Sequence, residues 1–354
     1  NQHFGPGDCR TTVGHTCSDE YQHYFTDINA YQHVDGNIDR HTYDYRDGIS
    51  HTQPDPHRHC GRHAHCEQHA DTHNRRAHRY RCPNGHPMIA LPGPLQVQLR
   101  AVLHQYPTAT WSAAAQSLSQ RYRAPRDGSA LVRNALDAFA YAAFIMPATY
   151  AQLYGACAQI STKTDWHGTS LLDIGSGPGT ASWVIRQFHP HLQHITAVER
   201  DPHLQHVART LARGADLPTT TYVQSDITSD TAWPMHDIVV IGHVLNELSD
   251  SQRTSVIARA WQATRQLLVI VEPGAPAFFP IITSARHQLI DAGGSIAAPC
   301  THHHACPMPA GQWCHFGQKV ARPDVQRTAK AAELGWEEAR SEEHTSELQS
   351  RVDI

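Results

Sequence analysis

The stretch SLLDIGSGPGTASW, Ser170 to Trp183, decides the fold. A short apolar strand carrying Asp173 runs into Gly175, Gly177 and Gly179, and apolar residues then resume at helical spacing from Ala181 to Phe188. Strand, glycine loop and helix in that order form the first crossover of a doubly wound parallel sheet, with the loop at the carboxyl edge where ligands bind. Glycines are needed there because the backbone must approach a ligand where a Cβ would collide.

Outward from this unit, short apolar strands alternate with amphipathic helices. The pattern predicts strands at Ser170 to Ile174, His194 to Val198, Thr221 to Gln224, Asp237 to Gly242 and Leu267 to Val271. Helices are predicted near Ala181 to Phe188, Pro202 to Arg213, Ser251 to Arg265 and Phe279 to Ala292. Upstream, from Leu91 to about Ile160, apolar residues recur at helical spacing and Pro92, Pro107, Pro125 and Pro147 fall at helix boundaries. The expected fold class is α/β, with a helical subdomain over 88–166, a Rossmann-like cofactor domain over 167–295 and a Cys-rich loop over 296–340.

Both ends of the 354-residue chain read differently. Residues 1–87 hold no Leu, Lys or Trp but carry 14 of the 29 histidines and five of the nine cysteines. So little aliphatic surface cannot offset a backbone ordering cost of roughly 1–2 kcal/mol per residue, and disorder is expected. The chain does not open on Met, and its first, Met88, stands where the composition turns ordinary. Translation is expected to start there, with the leader not native. The other reading of the leader is a metal-capturing tract around His57, His59, Cys60, His63, His65 and Cys66. Ser341 to Ile354, SEEHTSELQSRVDI, is similar to translated sequencing-adapter read-through and is set aside.

Residues 88–340 carry 19 Lys plus Arg against 18 Asp plus Glu, which excludes a strong overall electrostatic grip on nucleic acid. No apolar signal-peptide core and no uninterrupted run of about 18 apolar residues occurs, so a soluble intracellular protein is expected.

Three acids and a glycine loop carry the cofactor chemistry. Asp173, Gly175, Ser176, Gly177 and Gly179 form the loop, and the helix after it offers N–H groups and a positive dipole end to a carboxylate. Glu199 ends the second predicted strand, where a carboxylate accepts from both hydroxyls of a ribose, and Asp226 follows the third, at the adenine edge. The spacing is G-x-G-x-G with an acid two residues ahead, whereas a nicotinamide dinucleotide site wants G-x-G-x-x-G. S-adenosylmethionine is the expected cofactor. Past the fourth strand stand His243, Asn246 and Glu247, read either as catalytic groups or as residues that cap and solvate a helix start. No N/D-P-P-Y motif stands there, and no Pro-Cys nucleophile.

Cys300, Cys306 and Cys314, in APCTHHHACPMPAGQWCHF, point to metal rather than disulfide in an intracellular protein. Zinc is completed by His302, His303, His304 or His315, and an iron–sulfur cluster wants a fourth cysteine. Cys157, on an apolar helix face, reads as core.

With these blocks in order, residues 88 to about 338 resemble the mitochondrial small-ribosomal-subunit methyltransferase-like family, methyltransferase-like protein 17 and its fungal and bacterial relatives. The likeness runs through MPATY (Met146 to Tyr150), LLDIGSGPGTASW, HVLNEL (His243 to Leu248), VIVEPGAPAF (Val269 to Phe278), then APC, ACP and WCHF. It implies binding of S-adenosylmethionine and action on the small ribosomal subunit's rRNA or in its assembly, by a monomer without a membrane anchor. It places the protein in mitochondria of a eukaryote or the cytoplasm of a bacterium. It also implies a 4Fe-4S cluster on four cysteines, three of them matching Cys300, Cys306 and Cys314. The family's fourth cysteine lies beyond the position of Glu338, where this chain enters the adapter-like tail.

Overall fold

The computed structural model describes residues 27–32, 80–81, 87–123, 131–309, 311–329 and 334–339. The expectations for the remainder of the leader and for 341–354 lie outside the described residues. Three short strands fall at the leader: β1 (Asp27–Gln32), β2 (Tyr80–Arg81) and β3 (Pro87–Met88). Four helices follow, α1 (Gly93–Leu103), α2 (Thr108–Arg123), α3 (Ala135–Phe144) and α4 (Met146–Lys163). The alternating part then runs β4 (Ser170–Ile174), α5 (Thr180–Phe188), β5 (His194–Glu199), α6 (Pro202–Leu211), β6 (Thr219–Gln224) and β7 (His236–Gly242). A one-turn 3-10 segment, Leu245–Glu247, leads to α7 (Asp250–Gln262), β8 (Thr264–Glu272), α8 (Phe279–Asp291) and β9 (Ser295–Ala298). The last described elements are β10 (Gln318–Ala321), α9 (Asp324–Ala329) and β11 (Trp336–Ala339).

The main sheet has seven strands in the order β6-β5-β4-β7-β8-β1-β9. β4 pairs in parallel with β5 on one side and β7 on the other, so the chain order reverses there and opens a crevice at the carboxyl ends of β4 and β7. Leu171 and Ile174 face Ile238 and Ile241 across that pair, which sets the ends of the two strands level. The sequence reading gave no strand inside the leader, yet Asp27–Gln32 lies antiparallel between β8 and β9. The physical reason is that a gap between two strand edges asks only for backbone N–H and C=O partners, which any extended segment supplies.

Apolar burial divides between the two faces. Leu171, Ile195, Val240 and Val269 meet Leu95, Leu99, Phe139, Met146, Leu153, Trp183 and Val184 from the helices on one side. Leu172, Ile174, Val239, Ile241 and Ile270 meet Val256, Ile257, Trp261, Ile282 and Leu289 on the other. The central strands are therefore apolar on both faces, as a sheet covered on both sides requires. Cys157 is fully buried among the first set, and burial raises its thiol pKa.

α3 is started by Asn134, whose Oδ1 accepts from the Asp137 amide at 2.9 Å. The buried Asp137 carboxylate accepts from Arg121 Nη2 at 2.6 Å and from the Arg133 amide at 3.1 Å, joining α2 to α3. Replacing it leaves the Arg121 guanidinium, only 15% exposed, without a carboxylate partner. Asp137→Ala is expected to cost about 3 kcal/mol, because breaking a buried pair strands a charge. Urea unfolding checks this, and a loss below about 1 kcal/mol would show that solvent already serves the arginine.

Candidate functional site: the cleft above the glycine loop

The loop after β4 is pinned at several points. Gly175 and Ser176 donate their amides to the Val198 carbonyl at 2.9 and 3.0 Å, and Gly179 donates to the Ser176 carbonyl at 2.8 Å. All three glycines have positive φ, +70°, +52° and +87°, a region open to glycine and strained for other residues. At Gly175 space adds to the requirement, since a Cβ there would lie 2.5 Å from Val244 Cγ2. At Gly177 nothing stands within 4 Å of an added Cβ, so the backbone borders open volume. Gly179 is the N-cap of α5, whose first turn begins beside that volume.

The open volume is a small cleft, open to solvent. It is lined by Asp173 of β4, by Gly175, Ser176 and Gly177 of the loop, by Thr180 and Ala181 of α5, and by Gly242 at the end of β7 with His243 after it. Three lining polar atoms are buried with no partner among the described residues: Asp173 Oδ2, Ser176 Oγ and His243 Nε2. Buried polar groups are nearly always satisfied, so three orphans in one cleft mark a place for a polar ligand. Burial, with the Glu199 charge adding to it, pushes the Asp173 carboxyl up to about 8. Burial alone lowers His243 to about 4, leaving it uncharged at neutral pH, and its φ of +58° holds the side chain on a left-handed backbone.

The other expected residues are distributed unevenly. Glu199, at the end of β5, accepts from the Gly177 amide at 2.9 Å through Oε2 and from the Asp201 amide at 2.8 Å through Oε1. It holds the glycine loop, and each oxygen keeps a lone pair for a further donor. Burial raises its pKa. Asp226 sits past β6 with Oδ1 accepting from the amide and hydroxyl of Thr228, which hold its carboxyl below the usual range. It is not among the residues lining the cleft. Asn246 and Glu247 also stand away from the lining: Asn246 Nδ2 donates to Glu272 at 2.7 Å, and Glu247 lies 3.7 Å from Arg200. Of the three expected catalytic residues, the structure brings only His243 to the cleft.

Several participants carried no motif of their own. Tyr141 of α3 and Thr149 and Leu153 of α4 line the helical side of the cleft. Glu272, the last residue of β8, is fully buried and accepts from the amides of Val244, Leu245 and Asn246 at 3.0, 2.8 and 3.3 Å. Burial pushes its carboxyl up to about 7 against those donors. Thr149 and Glu272 stood in residue blocks, MPATY and VIVEPG, but neither block has a spacing that reveals a partner, and Tyr141 and Leu153 stood in none.

Among the described residues no group of three His, Cys, Asp or Glu side chains gathers in a metal-holding cluster. Cys300 is exposed, and Cys306 and Cys314 are partly exposed on the segment after β9. That segment has little regular structure and is tied down elsewhere, by Lys163 Nζ on the Pro299 carbonyl, Arg286 Nη2 on the His302 carbonyl and Trp313 Nε1 on the Gly274 carbonyl. No helix among the described residues is long and apolar enough to cross a membrane.

A doubly wound sheet with its chain reversal at β4, a left-handed glycine loop beneath a polar cleft and a buried acid closing the next strand define a class I methyltransferase-type, Rossmann-like fold. The family model described as mitochondrial small ribosomal subunit Rsm22 matches residues 135–346, and the chain belongs to that family. The human ribosome assembly protein METTL17, mitochondrial, is 27% identical over 164 residues, which are 42% of this chain and 36% of that protein. The match thus spans about a third of that relative's length. Among solved structures, an S-adenosyl-L-methionine-dependent methyltransferase from Methanococcus maripaludis, described as such without proof of activity, aligns at 16% identity. It covers 48% of this chain and 75% of its own, with a TM-score of 0.33. The glycopeptide N-methyltransferase MtfA, solved with S-adenosyl-L-homocysteine, aligns at 20% identity over 32% of this chain and 47% of its own, with a TM-score of 0.27.

Proposed function

We propose that the chain binds S-adenosylmethionine in the cleft above β4 and β7 and acts as a methyltransferase-type protein on small-subunit rRNA or in small-subunit assembly. The observation that carries the cofactor is the set of three unpartnered buried polar atoms, Asp173 Oδ2, Ser176 Oγ and His243 Nε2, around one cleft at a glycine loop. The ribosomal role follows from family membership. Asp173 would face a cationic part of the cofactor, the first turn of α5 its carboxylate, Glu199 the ribose hydroxyls and Asp226 the adenine edge. When bound, the cofactor supplies a methyl group already activated on a sulfonium. The chain's task is then to orient the acceptor and exclude water, and positioning alone supplies effective molarities of about 10⁵–10⁸ M. His243, uncharged at neutral pH, would accept a proton or a hydrogen bond at Nε2. Family membership supports a mitochondrial location in a eukaryote, and in a bacterium the chain would work in the cytoplasm.

A second reading, a non-catalytic assembly factor that binds the cofactor without transferring methyl, is favoured by one observation. The side chains of Asn246 and Glu247 are engaged with Glu272 and Arg200, so neither stands ready to serve His243 as a catalytic partner at the cleft. Neither reading routes a step through a 4Fe-4S cluster or zinc. With the full chain, S-adenosylhomocysteine at 100 times its Kd is expected to stabilise the fold by about 2.7 kcal/mol, while nicotinamide dinucleotides leave the melting temperature unchanged. Transfer of labelled methyl to small-subunit rRNA then separates the two readings: label in the rRNA supports the enzyme, and cofactor binding without transfer supports the assembly factor. A protein that S-adenosylhomocysteine does not stabilise would sink both.

A further inference from the structure

Glu272 has no part in the roles assigned above, yet no other carboxylate among the described residues gathers so many donors from one segment. Its Oε1 accepts from the amides of Val244 and Leu245, and its Oε2 accepts from the amide and the Nδ2 of Asn246. The segment so held does two things at once. His243, whose own amide donates to the Val271 carbonyl at 2.8 Å, lines the cleft, and Val244 stands so close to Gly175 that a Cβ there would meet it at 2.5 Å. A second tether, Arg253 Nε on the Leu245 carbonyl at 2.8 Å, holds the segment from α7. The parallel register sets Gly242 opposite Val271, so the acid that follows Val271 meets the amides that follow Gly242.

We propose that Glu272 is a positioning residue of the cofactor site, fixing the 243–247 segment so that Val244 buttresses the glycine loop and His243 is held at the cleft. The inference rests on the cofactor reading above. Glutamine at 272 keeps the shape and keeps an oxygen for Val244 and Leu245, but it turns an NH2 against the two donors of Asn246. Asn246→Asp then turns one of those donors into an acceptor. The reciprocal pair Glu272→Gln with Asn246→Asp therefore restores a bond that each single change destroys.

The test measures S-adenosylhomocysteine affinity by calorimetry on the full chain, well below the melting temperature of each variant, with amide hydrogen exchange on residues 243–248 and on β7. Glu272→Gln is expected to bind at least tenfold more weakly and to exchange the 244–246 amides at least tenfold faster, with the β7 amides still protected. The reciprocal double variant is expected to recover at least threefold of the lost affinity. A residue that merely stabilised the fold would lower the melting temperature and leave the affinity of the folded protein untouched. If Glu272→Gln does not fold, Asn246→Ala decides, since it removes one donor and leaves the carboxylate three amides: binding three- to tenfold weaker supports the proposal, and unchanged binding overturns it. Wild-type affinity in a folded Glu272→Gln overturns this inference alone, whereas a wild-type chain that does not bind S-adenosylhomocysteine overturns the cofactor reading and this inference together.

Discussion

Gly175→Ala is expected to abolish cofactor binding and to destabilise the protein by about 2–5 kcal/mol. The left-handed backbone at φ +70° costs an alanine roughly 1–2 kcal/mol, and the added Cβ drives Val244 out of its seat, an overpacking that costs about 1–3 kcal/mol more. Gly177→Ala provides the contrast. It carries the same kind of backbone strain but meets no atom within 4 Å, so its stability loss stays near 1–2 kcal/mol while its Cβ intrudes on the cleft. Thermal unfolding with and without S-adenosylhomocysteine separates the two: Gly175→Ala should melt lower than Gly177→Ala, and neither should be stabilised by the ligand. Equal melting temperatures would mean that Val244 yields without cost.

Asp173→Asn is expected to stabilise the empty protein at alkaline pH and to weaken binding of the cationic cofactor by at least tenfold. The carboxyl is 3% exposed and raised from 3.8 to about 8, so folding takes up a proton between those values. Stability from this group is fully present below about pH 4 and falls as pH rises toward 8. Asparagine resembles the protonated acid and carries no such slope, so the variant should match the wild type near pH 4 and exceed it near pH 8.5, on the order of 2–5 kcal/mol. A bound cation reverses the preference by favouring the carboxylate, so S-adenosylmethionine should release close to one proton from the wild type at pH 7. Calorimetry in two buffers of different ionisation enthalpy reads this directly. Identical enthalpies in both buffers would show that Asp173 does not change charge on binding.

Much of this was legible in the chain. The predicted strands at Ser170, His194, Thr221, Asp237 and Leu267 correspond to β4 to β8, and the glycine loop falls where its acid, glycines and helix start require. Such features are local, and period and turn chemistry reveal them. What was not legible depends on register between segments far apart in sequence. Glu272 looks like any acid after an apolar run until β8 is laid beside β7, when it falls against three amides. Tyr141, Thr149 and Leu153 look like ordinary helix positions until α3 and α4 are folded over the carboxyl edge of the sheet. The spacing of Cys300, Cys306 and Cys314 suggests a metal, but a loop with many prolines and no ladder of its own has no local geometry that reveals which further ligand would complete the set.

The seat of Val244 against Gly175 also sets a rule for how this sequence can drift. Position 175 is held to glycine by its backbone, and position 244 is bounded from above by the room that glycine leaves and from below by the void a smaller side chain would open. Two positions far apart in the gene are therefore inherited as a single character. Among relatives that keep the loop, bulk at the second position should vary within about a methyl group, however freely the surrounding helix surface diverges.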